Sequence, residues 1–108
     1  MNLTIDAYQR YLSARYGGEA DEQGLFMKLV EEIGEIAEIL NKKTGRKTGD
    51  DSVLQEQLGF ELADALHYIV ALAAVNGLDL QRMVLEKDKL AAAKYHHDTD
   101  LAAFLSQS

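Results

Sequence analysis

The chain has no cysteine, which excludes disulfides and thiolate metal sites. A zinc site would have to be built from carboxylates with His67, His96 or His97. There is no proline either, so the strongest helix breaker is missing and long unbroken helices are favoured. No strand-like alternation, no internal repeat of solenoid period and no low-complexity segment can be found. Basic residues are scarce: 11 Lys and Arg stand against 18 Asp and Glu, a net charge of −7. That balance opposes long-range attraction to nucleic acid. The N-terminal Met1-Asn2-Leu3-Thr4-Ile5-Asp6 has neither the basic nor the apolar part of a signal peptide. The apolar run Ile69 to Val75 is too short to span a bilayer. A soluble cytoplasmic protein with no membrane or nucleic-acid partner is the expectation.

What is present is a chain of 108 residues, 47% of them hydrophobic, enough for one globular domain covering residues 1–108. Apolar periodicity predicts four helices and a short fifth. The first runs from about Thr4 to Tyr16, with Ile5, Tyr8, Leu12 and Tyr16 on one face. The second runs from about Asp21, a plausible N-cap, to Lys43, with Gly45 just past its end. Its apolar face reads Phe26, Leu29, Val30, Ile33, Ile36, Ala37 and Leu40, with Lys28, Glu31, Glu35, Glu38 and Lys42 opposite. The third runs from about Val53 to Val75 behind a Ser52–Gln55 capping box and ends at Asn76-Gly77. Leu54, Leu58, Leu62 and Leu66 should point inward from its first half. The fourth runs from about Leu80 to Tyr95 with Asp79 as N-cap, and the last covers Leu101 to Leu105. The fold class is all-α: a four-helix-type bundle with a short C-terminal helix. The stretch Ile69 to Val75 is apolar all round, and so small a chain can hardly cover it. A second subunit should do so, making a homodimer or homotetramer.

Two acidic signatures carry the chemistry. Glu31-Glu32-Ile33-Gly34-Glu35 lies on the second helix and Glu61-Leu62-Ala63-Asp64 on the third. Each places two carboxylates at i, i+3, neighbours on a helix surface. Glu32, beside Ile36 and Ile39, and Glu61, between Leu58 and Ala65, fall at the edges of apolar faces, where a carboxylate is poorly hydrated and needs a partner. Glu35 and Asp64 sit further towards solvent, so Glu32 and Glu61 would be inner metal ligands, with Glu35 and Asp64 closing over the ion. No Lys or Arg lies within four positions of Glu61 or Asp64. Oxygen-only donors suit Mg²⁺, with Mn²⁺ as a substitute. The bland alternative is a solvated acidic face, and for Glu38 it is the reading adopted.

The arrangement Glu-Glu-x-x-Glu, a spacer, then Glu-x-x-Asp resembles the MazG-like, all-α nucleoside triphosphate pyrophosphohydrolase superfamily. The apolar run after the second signature and Asn76-Gly77-Leu78-Asp79 leading into a further helix fit as well. The resemblance spans about residues 25 to 95. It implies that Glu32, Glu35, Glu61 and Asp64 hold Mg²⁺, and that a triphosphate is hydrolysed between its α and β phosphates to a monophosphate and pyrophosphate. Glu31 matches a position that varies more. Glu32 and Glu35 are both candidates for accepting the proton of the attacking water, and the sequence does not choose between them. Tyr68, one turn after Asp64, matches a position near the nucleotide in some relatives, though plain core packing would explain it too.

Candidate substrate-binding residues are Lys28, Tyr68, Lys87 and Lys94. Lys28 can also pair locally with Glu31 or Glu32. Lys87 and Lys94 are seven apart and share a face; relatives often carry Asn or Arg where this chain has Ala91, which puts substrate identity in doubt. Both lysines could instead simply favour the C-terminal half of their helix through its dipole. The run Lys42-Lys43-Thr44-Gly45-Arg46-Lys47 could close over a triphosphate, but reads better as helix-terminal lysines and a solvated loop, and its spacing is not that of a P-loop. Asp64-x-x-His67 is half of a ferritin-like pair without its second half, so a surface or interface role is expected for His67. His96 and His97 should be exposed. The alternatives to a house-cleaning hydrolase are a di-iron or di-manganese carboxylate bundle and a non-catalytic helical interaction module.

Overall fold

Local sequence sets the helix ends in the computed structural model, which describes residues 1–18, 20–45 and 51–107. Helix α1 (Ile5–Tyr16) starts where the Thr4 hydroxyl accepts from the Ala7 N–H at 3.0 Å, and stops at Gly17 with φ +64°. Helices α2 (Glu22–Gly45) and α3 (Asp51–Val75) follow. Gly77, at φ +66°, lets the Leu78 N–H reach back to the Ala73 carbonyl at 3.0 Å and close α3. Asp79 caps α4 (Leu80–Lys94) by accepting from the Arg82 N–H, and Asp100 caps α5 (Leu101–Ser106) by accepting from the Ala103 N–H. The expected capping box is displaced: α3 already begins at Asp51, so Ser52 lies inside the helix rather than at its start. Gly45 is likewise the last residue of α2 rather than the one beyond it. Arg46 and Lys47 lie outside the described residues.

Helices α2 and α3 form an antiparallel hairpin. At one end Lys43 Nζ donates to Gln55 Oε1, and at the other Asn76 Nδ2 donates to Glu22 Oε1 at 2.6 Å. Helix α1 lies against α3, and α4 packs on α1 and α5. The core gathers Leu12 from α1, Leu25 from α2 and Val70 and Ala71 from α3. Gln9 ties α1 to the next segment, with its side-chain amide donating to the Leu78 carbonyl and accepting from the Leu80 N–H. Asp88 of α4 accepts from the Leu101 N–H at 2.6 Å and anchors α5.

The all-α expectation holds and the helices fall close to their predicted spans, but three assigned faces are corrected. On α2 the line facing α3 is Leu25, Leu29, Glu32, Ile36 and Ile39; Phe26, Val30, Ile33 and Leu40 are exposed. On α3, Leu54 and Leu58 turn inward as expected, but Leu62 and Leu66 are 51% and 43% exposed, and Glu61 and Ala65 take their places. The apolar run after them is partly covered within the single chain: Val70 and Ala71 are fully buried and Ala73 nearly so, while Ile69 stays 43% exposed. Periodicity alone placed a wide apolar stripe at the centre of each helix face. Two helices in contact cover only a narrow line of each, so half of each stripe is left outside.

Candidate metal and nucleotide site

The carboxylates meet where α2 and α3 lie side by side. Glu32 and Glu61, on the facing lines, are half-buried; Asp64 is exposed one turn beyond Glu61. One oxygen from each of Glu32, Glu61 and Asp64 lies within 4.8 Å of the others. The Oε2 atoms of Glu32 and Glu61 are buried and have no hydrogen-bond partner among the described residues. Unpartnered buried carboxylate oxygens are costly unless a proton or a cation sits between them. Three acidic side chains with hard oxygen donors, Glu32, Glu61 and Asp64, suit a divalent cation.

Proton affinities report the same crowding. Glu35 holds its proton above the ordinary carboxylate range, first because Glu61 can share a proton with it and then because of the charge on Glu61. Glu61 is raised in the same direction, chiefly by proton sharing with Glu32. Such sharing exists only while one carboxyl of the pair is protonated. Glu35 stands outside the three mutually close oxygens yet beside Glu61, at the solvent side, in keeping with its predicted outer position.

The remaining sequence-nominated residues divide into two groups. Lys28 is on α2 near the acidic cluster, exposed, with Nζ 3.9 Å from Glu31. Tyr68 is half-buried one turn after Asp64, its ring edge-on to His67 with centroids 4.9 Å apart. Lys87 and Lys94 are elsewhere, on the exposed surface of α4. Glu38 is solvated as expected, with Lys42 3.6 Å away. His96 and His97 are exposed.

Of the surface or interface role expected for His67, the structure shows a helix contact inside the chain. His67 is half-buried between α1 and α3, with Nε2 2.6 Å from the Tyr16 hydroxyl. Tyr8, Tyr16 and Tyr68 surround its ring edge-on, the Tyr8 and Tyr16 centroids 6.4 and 5.8 Å away. Burial pushes the imidazole below its ordinary value, Arg15 adds to this, and Asp64 opposes it. The signal that could have found this cluster was in α1. Tyr8 and Tyr16 fall on its inward face, and a buried tyrosine hydroxyl needs a polar partner.

No family model matches the sequence. The chain is 35% identical over 99 residues to dCTP pyrophosphatase 1 of Homo sapiens, covering 80% of this chain and 56% of that protein. It is 36% identical over 91 residues to dCTP pyrophosphatase 1 of Rattus norvegicus, covering 72% and 51%. The chain thus spans about half the length of the relatives it matches. A crystal structure of iMazG from Vibrio DAT 722 superposes with a TM-score of 0.64 at 28% identity, covering 86% of this chain and 98% of that one.

Proposed function

The chain belongs to the MazG-like all-α family, and from that premise we propose that it is a nucleotide pyrophosphohydrolase that uses Mg²⁺, or Mn²⁺ in its place. It cleaves a nucleoside triphosphate between the α and β phosphates, giving a monophosphate and pyrophosphate. The observation that carries this reading is the pair of buried, unpartnered oxygens on Glu32 and Glu61 within a three-carboxylate cluster.

Glu32, Glu61 and Asp64 would hold the cation, with Glu35 beside them. When bound, the ion would neutralise phosphate charge and lower the pKa of a bound water. The protein's own part is fixed by the hairpin. Glu32 and Glu61 face each other from two helices, so their positions are set by packing rather than by loops. Glu35 lies at the outer rim, where its carboxylate can accept a proton from water entering with the substrate. Lys28, exposed beside Glu31, and Tyr68, one turn after Asp64, are the residues proposed to serve the substrate there. The name of the mammalian relatives makes dCTP the first nucleotide to test, while Ala91 leaves a different base preference open. Removal of surplus or modified triphosphates in the cytoplasm is the corresponding role.

A di-iron or di-manganese centre would call on His67, but its Nε2 is engaged by Tyr16 instead. Helix α3 is long and apolar enough to cross a membrane. It carries Glu61, Asp64 and His67 at its middle, which a bilayer would penalise, and it packs on α1 and α2. We therefore read it as a core helix, in a protein with no membrane or nucleic-acid partner. Assembly as a homodimer or homotetramer is proposed through an exposed apolar side of the hairpin, which takes in Ile69 from the Ile69 to Val75 run. Val30, Ile33 and Leu40 of α2 and Leu62, Leu66 and Ile69 of α3 are exposed, and helical geometry places them on one side of the hairpin, opposite the carboxylates.

The experiment is a panel of nucleoside triphosphates, dCTP included, assayed with Mg²⁺, with Mn²⁺ and with chelator, the products separated by chromatography. Monophosphate plus pyrophosphate, formed only with metal, is the expected result. Release of single phosphate, or equal activity in chelator, overturns it.

A further inference from the structure

Tyr68, one turn past Asp64, is held by a single ring. It meets His67 edge-on with centroids 4.9 Å apart, and no other ring contacts it among the described residues. Its body is half-buried and packs against the core of Leu12, Leu25, Val70 and Ala71. Its hydroxyl has no hydrogen-bond partner among the described residues. The side chain therefore has a packed stem and a polar end still to be used.

His67 is in turn fixed from another helix. Tyr16, the last residue of α1, puts its hydroxyl 2.6 Å from Nε2. Burial pushes the imidazole below its ordinary value and Arg15 adds to this, so near neutral pH the ring is uncharged and Nε2 accepts from the hydroxyl. Arg15 lies over the Tyr16 ring, 5.6 Å from its centroid. Tyr8 borders the imidazole at 6.4 Å. Tyr8 and Tyr16 reach Tyr68 only through the imidazole. The hydrogen bond thus ties the end of α1 to α3 one turn past the carboxylates. A leucine at this contact would fill the gap with no half-buried nitrogen to satisfy. A histidine–tyrosine pair here calls for a reason beyond packing.

We propose that His67 is a positioning residue for the nucleotide: its ring, anchored by the Tyr16 hydroxyl, fixes Tyr68 so that the Tyr68 hydroxyl meets the substrate beside Asp64. The proposal rests on the pyrophosphohydrolase reading for its substrate. His67 touches neither substrate nor cation, and its effect passes through Tyr68. A side chain already fixed before binding loses less freedom when the substrate arrives. The effect therefore falls on KM and leaves kcat to the carboxylates.

Two measurements test it. In the first, Tyr16→Phe, His67→Leu and the double variant are assayed in Mg²⁺ with dCTP, or with whichever triphosphate the wild type hydrolyses. His67→Leu should raise KM about 10-fold with kcat within about twofold of wild type. Tyr16→Phe keeps the imidazole but loosens it, and should raise KM less. The double variant removes both polar atoms and should regain stability. Its KM should nevertheless stay raised, because Tyr68 still lacks its ring. Recovery of KM together with the melting temperature would reduce the pair to structural support and overturn the proposal. So would an unchanged KM in His67→Leu, or a loss confined to kcat.

The second measurement does not depend on activity. The chain has five tyrosines and no tryptophan, so tyrosine dominates its near-ultraviolet circular dichroism. His67→Leu removes no tyrosine. It should still lose a large part of this signal, with the far-ultraviolet spectrum unchanged, because the rings around the imidazole are set free. An unchanged near-ultraviolet spectrum overturns the proposal. A wild type that hydrolyses no triphosphate, with the signal lost in His67→Leu, would instead indict the pyrophosphohydrolase reading and leave the hold on Tyr68 intact.

Discussion

The first half of α3 carries Glu61 and Asp64 and leaves Phe60 and Leu62 largely in solvent, whereas the second half buries Val70 and Ala71 completely. Hydrophobicity does not explain the difference, since leucine and phenylalanine are the exposed residues and alanine the buried one. The neighbours do. Helix α1 covers the second half together with the start of α2, while among the described residues the first half packs chiefly on α2. That open flank lets two carboxylates stand at a helix contact without closing it off from solvent or substrate. One helix thus anchors the fold with its C-terminal half and presents the candidate site's carboxylates with its N-terminal half.

Breaking the anchored half should have the largest effect. Val70→Glu would bury an unpaired charge against Leu12, costing about 3–5 kcal/mol, and should leave little folded protein at room temperature. Leu12→Ala removes the facing side chain and should cost about 2–5 kcal/mol. Both follow from denaturant titration, and a loss under about 1 kcal/mol for either would mean that the α1–α3 contact is not the core. In the open half the effect should fall on activity instead. Glu32→Gln, Glu61→Gln and Asp64→Asn should each lower kcat/KM by about 100-fold or more while circular dichroism stays unchanged.

The acidic half should also respond to pH in a direction of its own. Glu35 and Glu61 hold protons more tightly in the folded chain than the ordinary value of 4.5. Their contribution to stability is complete below that value and is lost as pH rises through their raised values. In chelator, the melting temperature should fall across that window on going from acid towards neutral, and Glu61→Gln should flatten the fall. His67 acts in the opposite sense. Its folded value lies below the ordinary 6.5, so its contribution is present above 6.5 and is lost as pH falls through the lowered value. Parallel melting curves for wild type and Glu61→Gln at every pH would disprove the crowding of the carboxylates.

The smallest effect sharpens the comparison by its absence. Glu38→Gln lies on the solvated side of α2, with a surface ion pair to Lys42. It should change stability by less than about 0.5 kcal/mol and leave activity alone. Damage equal to that of Glu61→Gln would show that the acidic faces are wrongly assigned.

Much of this was legible in the residues. Helix spans followed from periodicity and from Asp79, Asn76-Gly77 and the missing prolines. The carboxylate cluster followed from i, i+3 spacing, and the inner positions of Glu32 and Glu61 from their apolar flanks. What could not be read was which part of each apolar stripe meets a neighbour. Leu62 and Val70 look alike as letters, and only the placement of α1 separates them. The partner of His67 was hidden for the same reason: Tyr16 is 51 residues away in sequence. Nor could spacing show that Lys87 and Lys94 sit apart from the hairpin, because helix order does not fix which helices touch.

The hydrogen bond between Tyr16 and His67 has an implication for how this sequence can drift. Replacing Tyr16 with Phe leaves a half-buried imidazole nitrogen without its partner, a loss of about 1–3 kcal/mol. Replacing His67 with Leu strands the tyrosine hydroxyl instead. Either step taken alone goes downhill, whereas Phe and Leu together restore an apolar contact of similar volume. The two positions are therefore a linked pair that should exchange as a unit, and a double-mutant cycle should return most of what each single change removes.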